Sequence, residues 1–130
     1  MADSYEIANV DDVDEWDRFV RVALGGSVFS SSAWLACASA AVGTAVHAIG
    51  CYKNGQLIAA ISGQDGAGGG IKRFTTPVLT PHGGLLLAPI PAKTPAKLEA
   101  EYNRAAQLFI NHLRERYDYI QLSLSPSMVD

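Results

Sequence analysis

Val46-His47-Ala48-Ile49-Gly50-Cys51-Tyr52 and Gln56-Leu57-Ile58-Ala59-Ala60-Ile61-Ser62 flank Lys53-Asn54-Gly55. Asn-Gly between two apolar runs is the strongest short signal for a two-residue hairpin turn, because both turn positions need positive φ. The stretch predicts two paired strands, 46–52 and 56–62, and the rest of the fold is read outward from them.

On the N-terminal side, Tyr5 to Val10 alternates apolar and polar residues and predicts a short strand. Asp12 and Glu15 have capping-box spacing, and Val13, Trp16, Phe19, Val20 and Ala23 recur at helical intervals up to Gly25-Gly26. Ser30-Ser31-Ser32 offers caps for a second helix from Ala33 to about Val42, with Trp34, Leu35, Ala38 and Val42 as its apolar stripe and Gly43 as its stop. On the C-terminal side, Gly63 to Gly70 reads as a flexible connection. Ile71 to Phe74 starts a stretch that Pro77 and Pro81 keep short or at an edge. Gly83-Gly84-Leu85-Leu86-Leu87 predicts a buried strand. Thr94-Pro95 opens the longest helix, to about Arg116, with Leu98, Tyr102, Ala105, Phe109 and Leu113 buried and Leu108 and Ile110 widening the stripe. Tyr119 to Leu124 alternates as a last strand. The order β-α-α-β-β-β-(β)-α-β predicts an α/β (α+β) fold, with a mostly antiparallel sheet flanked by helices, in one domain over residues 1–130.

Composition narrows the function classes. Of the 130 residues 48% are hydrophobic and 18% charged, against roughly 25% charged in an average soluble domain. The chain is too apolar to be disordered, and two cysteines cannot make a disulfide scaffold. A formal net charge of −3 leaves no basic footprint for nucleic acid. No apolar run reaches the roughly 18 residues of a membrane helix. The N-terminus lacks the basic and apolar regions of a secretory signal, so a cytoplasmic protein is expected. The shortage of charge implies an unusually apolar surface, or a surface that something else covers.

Few residues announce chemistry. His82, in Thr80-Pro81-His82-Gly83-Gly84, reads either as a substrate-facing or general-base histidine on a rigid turn, or as a turn histidine packed against the sheet or a partner. Thr80, His82, Gly83 and Gly84 are the candidate substrate-binding or interface residues. No catalytic, cofactor-binding or metal-binding residue is assigned. His47, His112, Cys37 and Cys51 have no metal-ligand spacing, and both cysteines are expected as buried thiols. Tyr102 and Tyr117 read as core or rim residues, and the serines from Ser27 to Ser32 as caps.

The element order is also that of the GNAT acyltransferase superfamily, and five segments resemble its FemAB/CelD-like branch. Glu15-Trp16-Asp17-Arg18-Phe19-Val20 is similar to the W-D-x-F-V opening of that group. Ser27 to Leu35 resembles its approach to a Trp-containing second helix, and Tyr52 to Ala59 its hairpin. Thr76-Pro77-Val78-Leu79-Thr80-Pro81-His82-Gly83-Gly84-Leu85-Leu86 resembles its P-x-x-x-x-x-G-G-x-L segment, and Tyr119 to Pro126 its closing strand. The resemblance implies the N-terminal half of a tandem enzyme that transfers acyl or aminoacyl groups onto cell-wall or exopolysaccharide precursors. This half would be non-catalytic, and acyl-CoA or aminoacyl-tRNA would serve the full-length protein. Its partner would be its own C-terminal half or a second copy in a homodimer, met through the final strand and the segment near His82. The donor loop of the superfamily, Arg/Gln-x-x-Gly-x-Gly/Ala between a strand and a helix, has its nearest match in Gln64-Asp65-Gly66-Ala67-Gly68-Gly69. There Ala67 replaces the first glycine and an extended stretch follows. A free-standing GNAT-like acetyltransferase with a degenerate acyl-CoA loop, and a non-enzymatic dimerisation module, are the alternatives.

Overall fold

The computed structural model describes residues 4–24, 26–66, 70–77, 80, 85–89 and 94–122. Along the chain run β1 (Tyr5–Asn9), α1 (Val13–Val22), a 3-10 turn (Val28–Ser30), α2 (Ser32–Val42), β2 (Val46–Lys53), β3 (Gln56–Gly66), β4 (Arg73–Thr75), β5 (Leu86–Leu87), α3 (Pro95–Arg114) and β6 (Tyr119–Gln121). The sheet order is β1-β2-β3-β4-β6, and β5 also pairs with β3. All pairs are antiparallel except β4 with β6. A parallel pair needs a long crossover, and α3 lies within the one that leads to β6.

The β2–β3 turn forms as its residues require. Asn54 has φ 52° and Gly55 φ 84°, and Lys53 pairs with Gln56. The register then shifts. Tyr52 pairs with Leu57, but Cys51 pairs with Ala59, so Ile58 is an extra residue on β3. Bulges of this kind put two successive side chains on one side of the sheet. Ile58 and Ala59 both pack into the core cluster that contains Phe109 and Leu113 of α3, whereas Leu57 and Ala60 join the cluster of Trp16, Phe19 and Leu35 from α1 and α2. The two clusters fill opposite faces of the sheet, so β3 is buried from Ile58 through Gln64.

Local chemistry sets the helices. The Asp12 carboxylate accepts from the amides of Asp14 and Glu15. The reciprocal half of the expected capping box does not form, because Glu15 Oε1 accepts from Tyr52 Oη at 3.2 Å instead. Ser31 caps α2, and Gly43 ends it with φ 81°. Trp16 is 2% exposed and donates from Nε1 to the Ser30 carbonyl at 2.7 Å. A buried indole N–H left without a partner would cost about 1–3 kcal/mol.

Several sequence expectations are corrected. Gly63 to Gly66 belong to β3, not to a flexible connection, because Gly63 pairs with His47, and Asp65 and Gly66 with Phe74 and Arg73. The rest of that connection lies partly outside the described residues. Cys37 is exposed, and only Cys51 is buried. Val42 and Ile110 point to solvent, since α2 and α3 each bury a narrower stripe. In α3 that stripe includes Glu101, whose Oε1 lies 3.2 Å from Lys53 Nζ of β2. A carboxylate enters an apolar face there because a cation meets it. The last strand is described only to Gln121, and its expected continuation from Ser123 lies outside the described residues.

One glycine on β3 is fixed by packing. A Cβ built on Gly63 would sit 2.3 Å from two ring atoms of Phe74, and that ring is fully buried. Gly63→Ala is expected to destabilise the protein by about 1–3 kcal/mol, as overpacking does, measured by urea unfolding. Wild-type stability in this variant would mean that Phe74 does not lie across β3.

Candidate functional site

The residues singled out from the sequence around His82 divide. Thr80 is held in place: its Oγ1 accepts from Trp34 Nε1 of α2 at 2.9 Å, and its amide donates to the Pro77 carbonyl. Trp34 is itself set edge-on against Phe29, with ring centroids 4.9 Å apart. Thr80 thus ties the segment after β4 to α2. His82, Gly83 and Gly84 lie outside the described residues.

A different group of side chains converges at the far end of β3. Asp65 receives two hydrogen bonds, one on each carboxylate oxygen. Tyr117 Oη donates to Oδ1 at 2.5 Å, and His47 Nε2 lies 3.0 Å from Oδ2. The three residues come from β3, from the segment after α3 and from β2. Phe74 of β4 is the bed they share. Its ring stacks on His47 at 6.3 Å between centroids with 27° between planes, and meets Tyr117 at 5.0 Å. Sequence reasoning leaves these residues apart, with His47 as a lone strand histidine and Asp65 in a loop. Counting back from the Asn54-Gly55 turn without an insertion sets His47 opposite Ser62 and puts Asp65 on the other face. Only with Ile58 inserted does His47 pair with Gly63, so that Asp65 becomes its diagonal neighbour on the same face.

The carboxylate is held from both sides yet is not sealed in. The side chains of His47 and Asp65 are 32% and 36% exposed. Beside Asp65 and Tyr117 opens a hollow of about 500 Å³ with Lys72, Arg73 and Arg116 among its lining residues. Acidic groups flank it too: Asp118 accepts from the Lys72 amide, and Glu115 lies 3.8 Å from Arg116. Burial, then the hydrogen bond to Asp65, pushes the Tyr117 phenol above its ordinary value. On the opposite face burial, then the neighbouring Glu15 carboxylate, pushes Tyr52 up to about 12.

The N-termini of the three α-helices among the described residues are occupied by the chain's own side chains. Asp12 caps α1. At α2, Ser31 accepts from the Trp34 amide, and the Asp17 carboxylate takes the Ser32 hydroxyl at 2.5 Å and the Ser32 amide at 2.8 Å. These Ser32 bonds hold the Asp17 carboxyl below the usual carboxylate range. At α3, Thr94 accepts from the Lys97 amide, and Pro95 brings no N–H. Among the described residues no three His, Cys, Asp or Glu side chains converge on a metal position, and no helix is long and apolar enough to cross a membrane. Comparison of the chain with protein-family models, with curated proteins and with solved structures finds no match.

The two raised phenols carry a sign. The unfolded chain releases tyrosine protons near pH 10, while folded Tyr52 and Tyr117 keep theirs to higher pH. Their contribution to stability is therefore full below about pH 10 and is lost as pH rises above it. Chemical unfolding at stepped alkaline pH is expected to show this decline, with a shallower slope in Tyr117→Phe. An unchanged slope in that variant would contradict the bond to Asp65.

Proposed function

We propose that the chain is the N-terminal half of a tandem FemAB-like acyltransferase and that this half does not hold the acyl donor. The observation that carries the reading is the state of its helix N-termini. In the GNAT superfamily the pyrophosphate of acyl-CoA rests on the amides of a glycine-rich loop and on the N-terminus of the helix that follows. Here α1, α2 and α3 begin on Asp12, on Ser31 with Asp17, and on Thr94 with Pro95, so that an incoming phosphate would have to displace those caps. The nearest sequence match to the donor loop runs instead as strand through Gly66, which pairs with Arg73.

Two further features support the tandem reading. The mixed architecture, a mostly antiparallel sheet with three helices, is compatible with a GNAT-like half. Val13, Val22, Leu24, Val28 and Val42, all from the α1–α2 segment, are exposed large hydrophobics. In this reading such apolar side chains are what a second half or a second copy would cover in part, which accords with the chain's low share of charged residues.

Calorimetric titration of residues 1–130 with acetyl-CoA tests the proposal. The expected result is no saturable heat at ligand concentrations up to about 1 mM, equivalent to binding weaker than about −4 kcal/mol. Saturable binding in the micromolar range would overturn it in favour of a free-standing acetyltransferase.

A further inference from the structure

We propose that His47, Asp65 and Tyr117 form a proton-accepting site, in which Nδ1 of His47 takes the proton of a small hydroxyl or amine nucleophile, or of water, as it attacks an acyl group. This site goes beyond the tandem reading: it needs no bound acyl-CoA, and hydrolysis at it would replace the expectation of a non-catalytic half while leaving the acetyl-CoA titration as the test of that reading.

Geometry fixes the roles. An ionised carboxylate only accepts hydrogen bonds, so the 3.0 Å contact between His47 Nε2 and Asp65 Oδ2 places the ring hydrogen on Nε2. Nδ1 of the neutral ring then carries the lone pair, and no hydrogen bond from the described residues occupies it. Tyr117 donates to the other carboxylate oxygen and holds the carboxylate in one orientation. When Nδ1 takes a proton, Nε2 keeps its hydrogen bond to the Asp65 carboxylate, so the ring stays oriented through the transfer. The Phe74 ring, seated on Gly63, sets the plane of the imidazole. These are a base, an orienting acid and an outer donor, the arrangement that proton transfer requires. The 32% exposure of the His47 side chain leaves it within reach of a small molecule.

The same contacts could serve only to staple β3 to β2 and to the segment after α3. A staple acts on stability, whereas a base acts on a rate. The probe is p-nitrophenyl acetate in water. The water oxygen bonds to the carbonyl carbon while His47 Nδ1 takes its proton, p-nitrophenolate leaves with the electron pair of the ester bond, and His47 releases the proton to solvent. His47→Gln is expected to lower kcat/KM for this hydrolysis by about 10²-fold, within the usual contribution of a positioned base. Asp65→Asn is expected to lower it by about tenfold or more, because the carboxylate that orients the His47 ring and fixes its tautomer is gone. Rates are compared at a temperature where circular dichroism shows each variant folded. An unchanged rate in folded His47→Gln overturns the proposal. If His47→Gln does not fold, an unchanged rate in Asp65→Asn overturns it equally. A loss of stability in both variants with the wild-type rate retained identifies a staple.

Discussion

Between its turn and the centre of the sheet, the β2–β3 hairpin carries one residue more on β3 than on β2, and every side chain beyond Leu57 takes its face from that insertion. Strand side chains alternate with a period of two, so a one-residue shift exchanges the faces of everything downstream. With Ile58 inserted, Ala59 and Ile61 reach the core under α3 while Ala60 reaches the core under α1 and α2. Beyond them the same shift sends Gln64 to the α2 side, where its Nε2 donates to the Ala38 carbonyl, and Asp65 to the side of His47.

From that register the rest of the site is assembled by packing. β4 can lie against β3 only where β3 offers no side chain in the path of Phe74, and Gly63 supplies that place. Once Phe74 is buried there, it becomes a surface for both His47 and Tyr117. Tyr117 arrives because α3 ends at Arg114, with the Tyr117 amide bonded to the Leu113 carbonyl, and Leu113 is anchored in the core. An acidic residue at the end of a central strand, which alone would favour solvent, is thereby fixed by two donors. The Ile58 carbonyl accepts from the Ala88 amide at 2.8 Å, one position beyond the Ala59–Leu87 pair of β3 and β5.

Much of the fold was legible in the residues, because its signals are local. Asn54-Gly55 determines its own turn, Asp12, Ser31 and Thr94 determine their caps, and Pro77 keeps β4 short. What could not be read depends on pairing across distance. Nothing in Leu57-Ile58-Ala59 distinguishes a bulged strand from a regular one, since all three residues suit either face of a buried sheet. The site depends wholly on that distinction, so the sequence leaves His47 and Asp65 unrelated and makes His82 the more conspicuous histidine. Glu101 is illegible for a similar reason: its place in an apolar stripe makes sense only with Lys53 opposite. The average behaviour of cysteine predicts a buried Cys37, and the narrow buried face of α2 overrides it.

The register of β2 against β3 is the claim on which both the core and the site depend, and cross-strand nuclear Overhauser effects read it directly. Backbone contacts that pair Ile49 with Ile61 and His47 with Gly63, together with side-chain contacts between His47 and Phe74, are the result expected here. Contacts pairing Ile49 with Ala60 and His47 with Ser62 would mean an unbulged hairpin, with Asp65 on the face away from His47, and would contradict the account.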